Sequence, residues 1–144
     1  MKLQKATELA LYSILEFAAN PTAQVSAAEI AEKYGVSPHH LAKVLRDLGR
    51  AGLVESTRGV GGGYRFTGNA KRLTLFDVIE LFEALAPEAA SQHLPTPGER
   101  ALARVTSEID EIAKATFSSI TVDTMLKLIA REERAERDLA VARA

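Results

Sequence analysis

Apolar positions recur along this chain at helical spacing, then at strand spacing, then at helical spacing again. Residues 3–19 carry Leu3, Ala6, Leu9, Ala10, Ile14, Leu15, Phe17 and Ala18 without Gly or Pro before Asn20-Pro21, which predicts a first helix buried over a wide arc. Ser26 with Glu29 three residues on has the form of a capping box, so a second helix starts there, with Ile30, Ala31 and Tyr34 apolar and Gly35 at its end. Ser37 followed by Pro38 predicts a third helix, in which Leu41, Val44, Leu45 and Leu48 form one stripe. Only Gly35-Val36-Ser37 separates these two helices. The other face of the third helix is His39, His40, Lys43, Arg46, Asp47 and Arg50, polar and mostly basic.

After Gly52 the period changes. Leu53–Thr57 alternates like a short strand, Arg58-Gly59-Val60-Gly61-Gly62-Gly63 follows, and Tyr64–Thr67 reads as a second strand, so a β-hairpin with a glycine-rich tip is expected. Thr74 with Asp77 starts a fourth helix with the stripe Leu75, Val78, Ile79, Phe82 and Leu85. Residues 86–98 hold three of the five prolines and are expected to be a loop. Beyond them Leu102, Val105, Ile109 and Ile112 form a seam along a helix of about twenty residues, which needs a partner. A last helix starts near Thr121 and packs through Val122, Met125, Leu126 and Ile129; from Arg131 the chain is charged and Ala-rich, a tail expected to fray or extend into solvent. The expected fold is mostly α with a small β-hairpin wing: a winged helix-turn-helix (1–85), a Pro-rich loop (86–98), then a long helix whose seam needs a partner and a C-terminal helix (99–144).

Composition narrows the chemistry. With 144 residues, 47% hydrophobic and 26% charged, the chain has the make-up of a globular domain. It contains no cysteine, so disulfides, thiol nucleophiles and thiolate-held metals are excluded for these residues. No apolar run suits a bilayer and no signal-peptide pattern opens the chain, so a cytoplasmic protein with no membrane partner is expected. The net charge of −1 conceals a division. Residues 1–72 hold ten Lys/Arg against six Asp/Glu, net +4, and residues 73–144 hold eight against thirteen, net −5. A basic half beside an acidic half suits a nucleic-acid-binding unit joined to one with another task.

A helix, a short turn and a second helix with a basic outer face describe a helix-turn-helix, whose second helix enters the major groove. Arg58 and Arg65 flank the glycine tip, and an Arg on a thin tip is shaped for a narrow minor groove. A phosphate-cradling loop would need Lys-Ser or Lys-Thr and a helix after the glycines; Tyr64-Arg65-Phe66 follows instead. His93 with Glu88 or Glu99 is a poor metal set, and His39 and His40, about 100° apart on one helix, cannot share an ion within one chain. No Ser/His/Asp grouping and no carboxylate pair beside a histidine is visible, so no catalytic residue, no metal ligand and no enzyme activity is expected.

The chain resembles the Rrf-two family of winged-helix regulators, the IscR/NsrR type. The matching pieces are Met1-Lys2-Leu3, Ser26-Ala27-Ala28-Glu29-Ile30-Ala31, Val36-Ser37-Pro38-His39-His40-Leu41, Arg50-Ala51-Gly52-Leu53-Val54, Arg58-Gly59-Val60-Gly61-Gly62-Gly63-Tyr64, Leu73-Thr74-Leu75-Phe76-Asp77-Val78-Ile79 and Ile120-Thr121-Val122-Asp123. The resemblance implies a homodimer joined through the long helix (Leu102, Val105, Ile109, Ile112), with two wings reaching minor grooves of a palindromic operator in double-stranded DNA. It implies base-proximal roles for Ser37, His39 and Lys43, a minor-groove role for Arg58, wing backbone at Gly59, Gly61, Gly62 and Gly63, and a hairpin anchor at Tyr64. Lys2, Gln4 and Lys5 fall on an N-terminal edge that touches phosphate. Ser26, His40, Arg46, Arg50 and Arg65 complete the expected DNA face.

Ala42 stands where some relatives place a Glu that reads cytosine, so the preferred site should differ. Many relatives hold an iron–sulfur cluster with three cysteines in the loop before the long helix, some adding an acidic ligand at the position of Glu8. No cysteine is present here. The expectation is a DNA-binding transcriptional regulator, acting as a repressor, with no cofactor, or one sensing a small molecule. The alternative is a winged-helix protein–protein adaptor that does not bind DNA; a basic wing without an exposed aromatic cluster argues against it.

Overall fold

The computed structural model describes residues 2–59, 61–83 and 95–144. Helices α1 (Lys5–Ala19), α2 (Ala27–Tyr34) and α3 (Pro38–Arg50) are followed by strands β1 (Val54–Thr57) and β2 (Gly63–Phe66), then by α4 (Leu75–Ile79), α5 (Pro97–Ser119) and α6 (Val122–Ala142). The expected helix starts are met by chemistry. Ser26 and Glu29 exchange side-chain and backbone hydrogen bonds across the first turn of α2, and Thr74 with Asp77 does the same for α4. The Ser37 hydroxyl accepts from the backbone N–H of His40, with Pro38 at the first position of α3. Gly35 ends α2 in the left-handed region (φ 61°), which lets the chain reverse into α3 within three residues.

One core holds these pieces. Leu9, Ala10, Ile14 and Phe17 of α1, Ile30 of α2 and Leu41, Val44, Leu45 and Leu48 of α3 are buried together with Val54, Phe66, Val78 and Val122. Each such side chain contributes roughly 1.5–3 kcal/mol on leaving water, so the α3 stripe alone outweighs any surface contact in the domain. Two polar side chains lie fully inside, and both are satisfied. Ser13 donates to Leu9 O at 2.7 Å and Thr7 donates to Glu83 Oε1 at 2.6 Å.

The strands pair antiparallel in the register Val54↔Phe66, Glu55↔Arg65, Ser56↔Tyr64 and Thr57↔Gly63. Val25 adds a third rung: its N–H donates to Tyr64 O at 2.9 Å and Tyr64 N–H donates to Val25 O at 2.8 Å. This pairing is absent from the hydrophobic pattern, because one bridged residue has no period. The end of α6 that follows Thr121 is strapped to the same body. Leu75 N–H donates to Ile120 O, Val122 N–H to Leu73 O and Asp123 N–H to Ala70 O, all within 2.8–2.9 Å.

Two boundaries differ from the sequence reading. The fourth helix stops at Ile79 and does not run on as one stripe: after it, Leu81 and Phe82 donate to carbonyls three residues back, a tighter turn that returns Glu83 to α1. Phe82 packs on the core as expected, and Leu85 lies outside the described residues. The long helix starts at Pro97 rather than 99, because Thr96 and Glu99 form a capping box around Pro97. The charged tail extends into solvent, as expected, and does so as helix to Ala142, with Glu133 and Arg137 one turn apart in the favourable order.

A half-buried cluster ties α2 to α1. Glu16 accepts from Lys33 Nζ and from the Tyr34 hydroxyl, both at 2.6 Å, and the Tyr34 ring stacks on Tyr12 with centroids 4.7 Å apart. Burial alone would raise the Glu16 carboxyl, but the hydrogen bonds from Lys33 and Tyr34 and the Lys33 charge hold it below its ordinary value. Burial and then Glu16 push the Tyr34 phenol upward. A depressed carboxyl contributes stability above the ordinary carboxylate range and loses it as pH falls through the lowered value. Glu16→Gln is therefore expected to cost about 1 kcal/mol at about pH 7. The gap from wild type should close in urea titrations at about pH 2; a gap that stayed constant with pH would refute the assignment.

Candidate nucleic-acid interface

The buried stripe of α3 decides where its other face goes. With Leu41, Val44, Leu45 and Leu48 at 0–2% exposure, the side chains of His39, His40, Ala42, Lys43, Arg46 and Arg50 stand in solvent. Among the described residues, Lys43 and Arg46 have no ion-pair or hydrogen-bond partner; Arg50 lies 3.8 Å from Asp47 one turn back. Ser37 is exposed, and its hydroxyl is engaged in the cap.

The wing leaves directly from the end of this helix. Leu53 N–H donates to Leu48 O, Thr67 N–H to Leu53 O, and the Thr67 hydroxyl to Gly52 O at 2.9 Å, so the base of the hairpin is fastened to α3. Gln24 Nε2 reaches the Thr57 hydroxyl at 3.1 Å from the other side. Tyr64 is a packing residue, its ring 5.9 Å from that of Phe17, as an anchor of the hairpin must be. Arg58 stands at the outer end of β1, exposed and without a partner among the described residues.

Arg65 behaves differently from Arg58. It sits directly opposite Glu55 in the ladder and donates to its carboxylate at 3.0 Å, both side chains being about half exposed. The pair is a cross-strand brace worth roughly 0.2–1 kcal/mol, and Arg65 is engaged before any ligand arrives. The glycines also divide. Gly59 and Gly61 have φ of 101° and 76°, which makes the apex turn possible. Gly62 and Gly63 are needed for closeness: a Cβ on Gly62 would overlap Thr57 O, and one on Gly63 would lie 2.8 Å from Val25 O. Their close neighbours lie within the protein. Ser26, whose backbone nitrogen borders Gly63, lies beneath the wing with its hydroxyl committed to the α2 cap.

Lys2, Gln4 and Lys5 are exposed at the start of α1, and Lys5 lies 3.7 Å from Glu8. Sequence reading missed what holds this edge. Glu83, from 79 residues away, accepts from the Gln4 backbone N–H at 2.8 Å. It also missed Gln24 and Val25, since a lone amide and a one-residue bridge leave no signal in composition. Lys71 and Arg72, counted within the basic block but assigned no role, are exposed in the loop beyond the wing.

The seam of α5 is bare. Leu102, Val105, Ile109 and Ile112 are 52–68% exposed, while Ala113 and Phe117 are half-buried and Lys114 lies over the Phe76 ring of α4. Among the described residues, the last turns of α5 meet the body through these side chains. Among the described residues no group of three His, Asp or Glu is placed to hold a metal, and no helix is long and apolar enough to cross a membrane. His93 and Glu88 lie outside the described residues.

A three-helix core carrying a hairpin, with a basic second helix and an Arg-bearing apex, defines a winged helix-turn-helix protein of the DNA-binding kind. Comparison with known proteins agrees: the family described as Rrf2, iron-dependent transcriptional regulator, matches residues 3–128. The chain belongs to the Rrf2 family and is a DNA-binding transcriptional regulator; the family is one of regulators, not enzymes. It is 53% identical over 138 residues to the HTH-type transcriptional regulator BadM of Rhodopseudomonas palustris, covering 93% of this chain and 86% of BadM. Among solved structures, it resembles CymR (YrzC), the global cysteine regulator of B. subtilis, at 25% identity and a TM-score of 0.70 over 89% of this chain and 98% of that one. IscR of T. potens is 26% identical, with a TM-score of 0.65 over 88% of this chain and 87% of that one.

The glycine geometry sets a test. Gly63→Ala should cost about 1–3 kcal/mol in chemical denaturation, because the Val25 backbone cannot give way without breaking its bridge to Tyr64. Arg65→Ala should cost under about 1 kcal/mol. Equal losses from the two would contradict this account of the wing.

Proposed function

We propose that this regulator binds a palindromic operator as a homodimer, inserting α3 into the major groove and the apex of the wing into the adjacent minor groove. The observation that carries the reading is the set of exposed cations without partners, Lys43, Arg46 and Arg58, on two elements whose opposite faces are buried and fastened together. Lys43 with His39 and the exposed end of Ser37 supplies donors to base edges and phosphates; Arg58 suits the negative potential of a narrow minor groove. His40, Arg46 and Arg50 border the same helix face and contact phosphate, as do Lys2 and Lys5 with Gln4 at the N-terminal edge. Gly59 and Gly61 keep the apex thin. Residues 1–85 form the DNA-binding unit, 86–98 the connection, and 99–144 the part that joins two copies.

The bare seam of α5 supports the dimer. Four large aliphatic side chains at heptad-like spacing, half or more exposed on a helix of 23 residues, suit pairing with the same seam of a second copy. The iron dependence in the family's description does not extend to a cysteine-held cluster here. Iron–sulfur clusters are held chiefly by thiolates and the 144 residues supply none, while Glu8 is drawn to Lys5. We place the protein among regulators that work without such a cluster, responding to another signal.

Selection of duplexes from a random pool tests the reading, with recovery of an inverted repeat expected. Affinity should fall with salt at a log–log slope of about −0.9 per phosphate contacted. Arg58→Ala should cost about 1–3 kcal/mol and relax sequence preference, whereas Arg46→Ala should weaken all duplexes alike and lower the salt slope by about one. Ile109→Glu should yield a monomer in sedimentation that binds half-sites weakly. Absence of salt-dependent binding to every duplex would sink the proposal.

A further inference from the structure

The N-termini of five of the six described helices are capped by their own Ser or Thr: Ser26, Ser37, Thr74, Thr96 and Thr121. The first is not. Gln4 stands at the cap of α1 with an extended backbone and no side-chain hydrogen bond. What closes this end comes from the turn after α4. One carboxylate oxygen of Glu83 accepts from the Gln4 N–H at 2.8 Å and from the Thr7 hydroxyl at 2.6 Å. Thr7 is the third helical residue, the place from which a local Glu would reach back in a capping box, so Glu83 supplies from a distance the acceptor that α1 lacks. Thr7 is fully buried, which leaves its hydroxyl no water to replace Glu83.

The electrostatics give this contact a particular consequence. The first turn of α1 carries the positive end of the helix dipole together with Lys5, and Lys2 lies just before it. Glu8 answers Lys5 at 3.7 Å, and Glu83 is the carboxylate seated on the open N–H group itself. Without it only Glu8 stands against the two lysines and the helix dipole, and a buried hydroxyl loses its acceptor. Fraying of this turn would release the segment that aims Lys2, Gln4 and Lys5.

The geometry assigns Glu83 as a positioning residue for DNA binding, holding the lysine-bearing N-terminal edge in place through the first turn of α1. This rests on the proposed phosphate contacts of Lys2 and Lys5, and deepens them. It also makes the end of the α4 segment and the DNA-facing start of the chain two sides of one hydrogen-bonded junction.

The test compares the full-length wild type with Glu83→Ala, Glu83→Gln, the double variant Lys2→Ala/Lys5→Ala, and the triple combination, on one selected duplex. Glu83→Ala should lose roughly three- to tenfold in affinity and flatten the log–log salt slope by about one to two, as loss of one or two phosphate contacts would. In the background lacking both lysines, Glu83→Ala should add nothing. Glu83→Gln, whose amide oxygen still accepts, should recover most of the loss. In the free protein, amide exchange at residues 4–8 should accelerate in Glu83→Ala while α3 stays protected. Unchanged exchange at residues 4–8 would refute the junction whether or not the protein binds DNA. Faster exchange with an unaltered salt slope, or a loss that adds to that of the lysine pair, would refute the positioning role. Loss of binding by every variant including wild type would instead count against the DNA reading, leaving the exchange result to decide the junction.

Discussion

The burial of the α3 stripe against α1 is the interaction on which the interface depends. Leu41, Val44, Leu45 and Leu48 reach a core built on Leu9, Ala10, Ile14 and Phe17, and an α-helix held by one side has no choice about where its other side points. The outward display of Lys43 and Arg46 is thus a by-product of packing and needs no contact of its own. The wing inherits its placement from the same helix, because Leu53 and Thr67 are hydrogen-bonded to the end of α3 and its exit. The two surfaces proposed to meet two grooves are therefore fastened to one another by the fold itself.

A second constraint links this unit to the rest of the chain. The corner between α5 and α6 is held by three backbone hydrogen bonds to residues 70–75 and by Val122, which is fully buried in the same core as Val78. Rigid attachment matters in the proposed dimer, because each copy then reads one of two half-sites. Their separation is a property of DNA, so freedom at this corner would spread the two reading heads over many spacings and cost affinity as lost conformational entropy. In the proposed dimer the α5 seam sets that separation through a helix that leaves the body at this corner.

Much of this was legible in the sequence, and the reasons are local. Ser26 with Glu29, Thr74 with Asp77, and Ser37 with Pro38 announce helix starts through chemistry confined to one turn. The stripe of α3 announces both its buried face and its basic one. What escaped reading is non-local. Val25 joins the sheet through one residue, Glu83 caps a helix across 79 positions, and neither leaves a period or a motif. The Arg65–Glu55 brace could have been anticipated, since two residues equidistant from a hairpin apex face each other once the register is known. The glycines of the wing were legible as a tight apex, but the need for Gly62 and Gly63 lies in Thr57 and Val25, close neighbours only after folding.

The division of charge follows from the same architecture. The net +4 of residues 1–72 gathers on the elements that face solvent at α3, the wing and the start of α1, while the net −5 of residues 73–144 comes mainly from residues 73–96, where Asp77, Glu80, Glu83 and Glu88 meet no Lys or Arg; α5 and α6 are each close to neutral. A polyanion attracts one half and repels the other, so the field orients the protein before any base is read. Near-neutrality of the whole limits long-range attraction to arbitrary DNA and leaves discrimination between sites to short-range contacts.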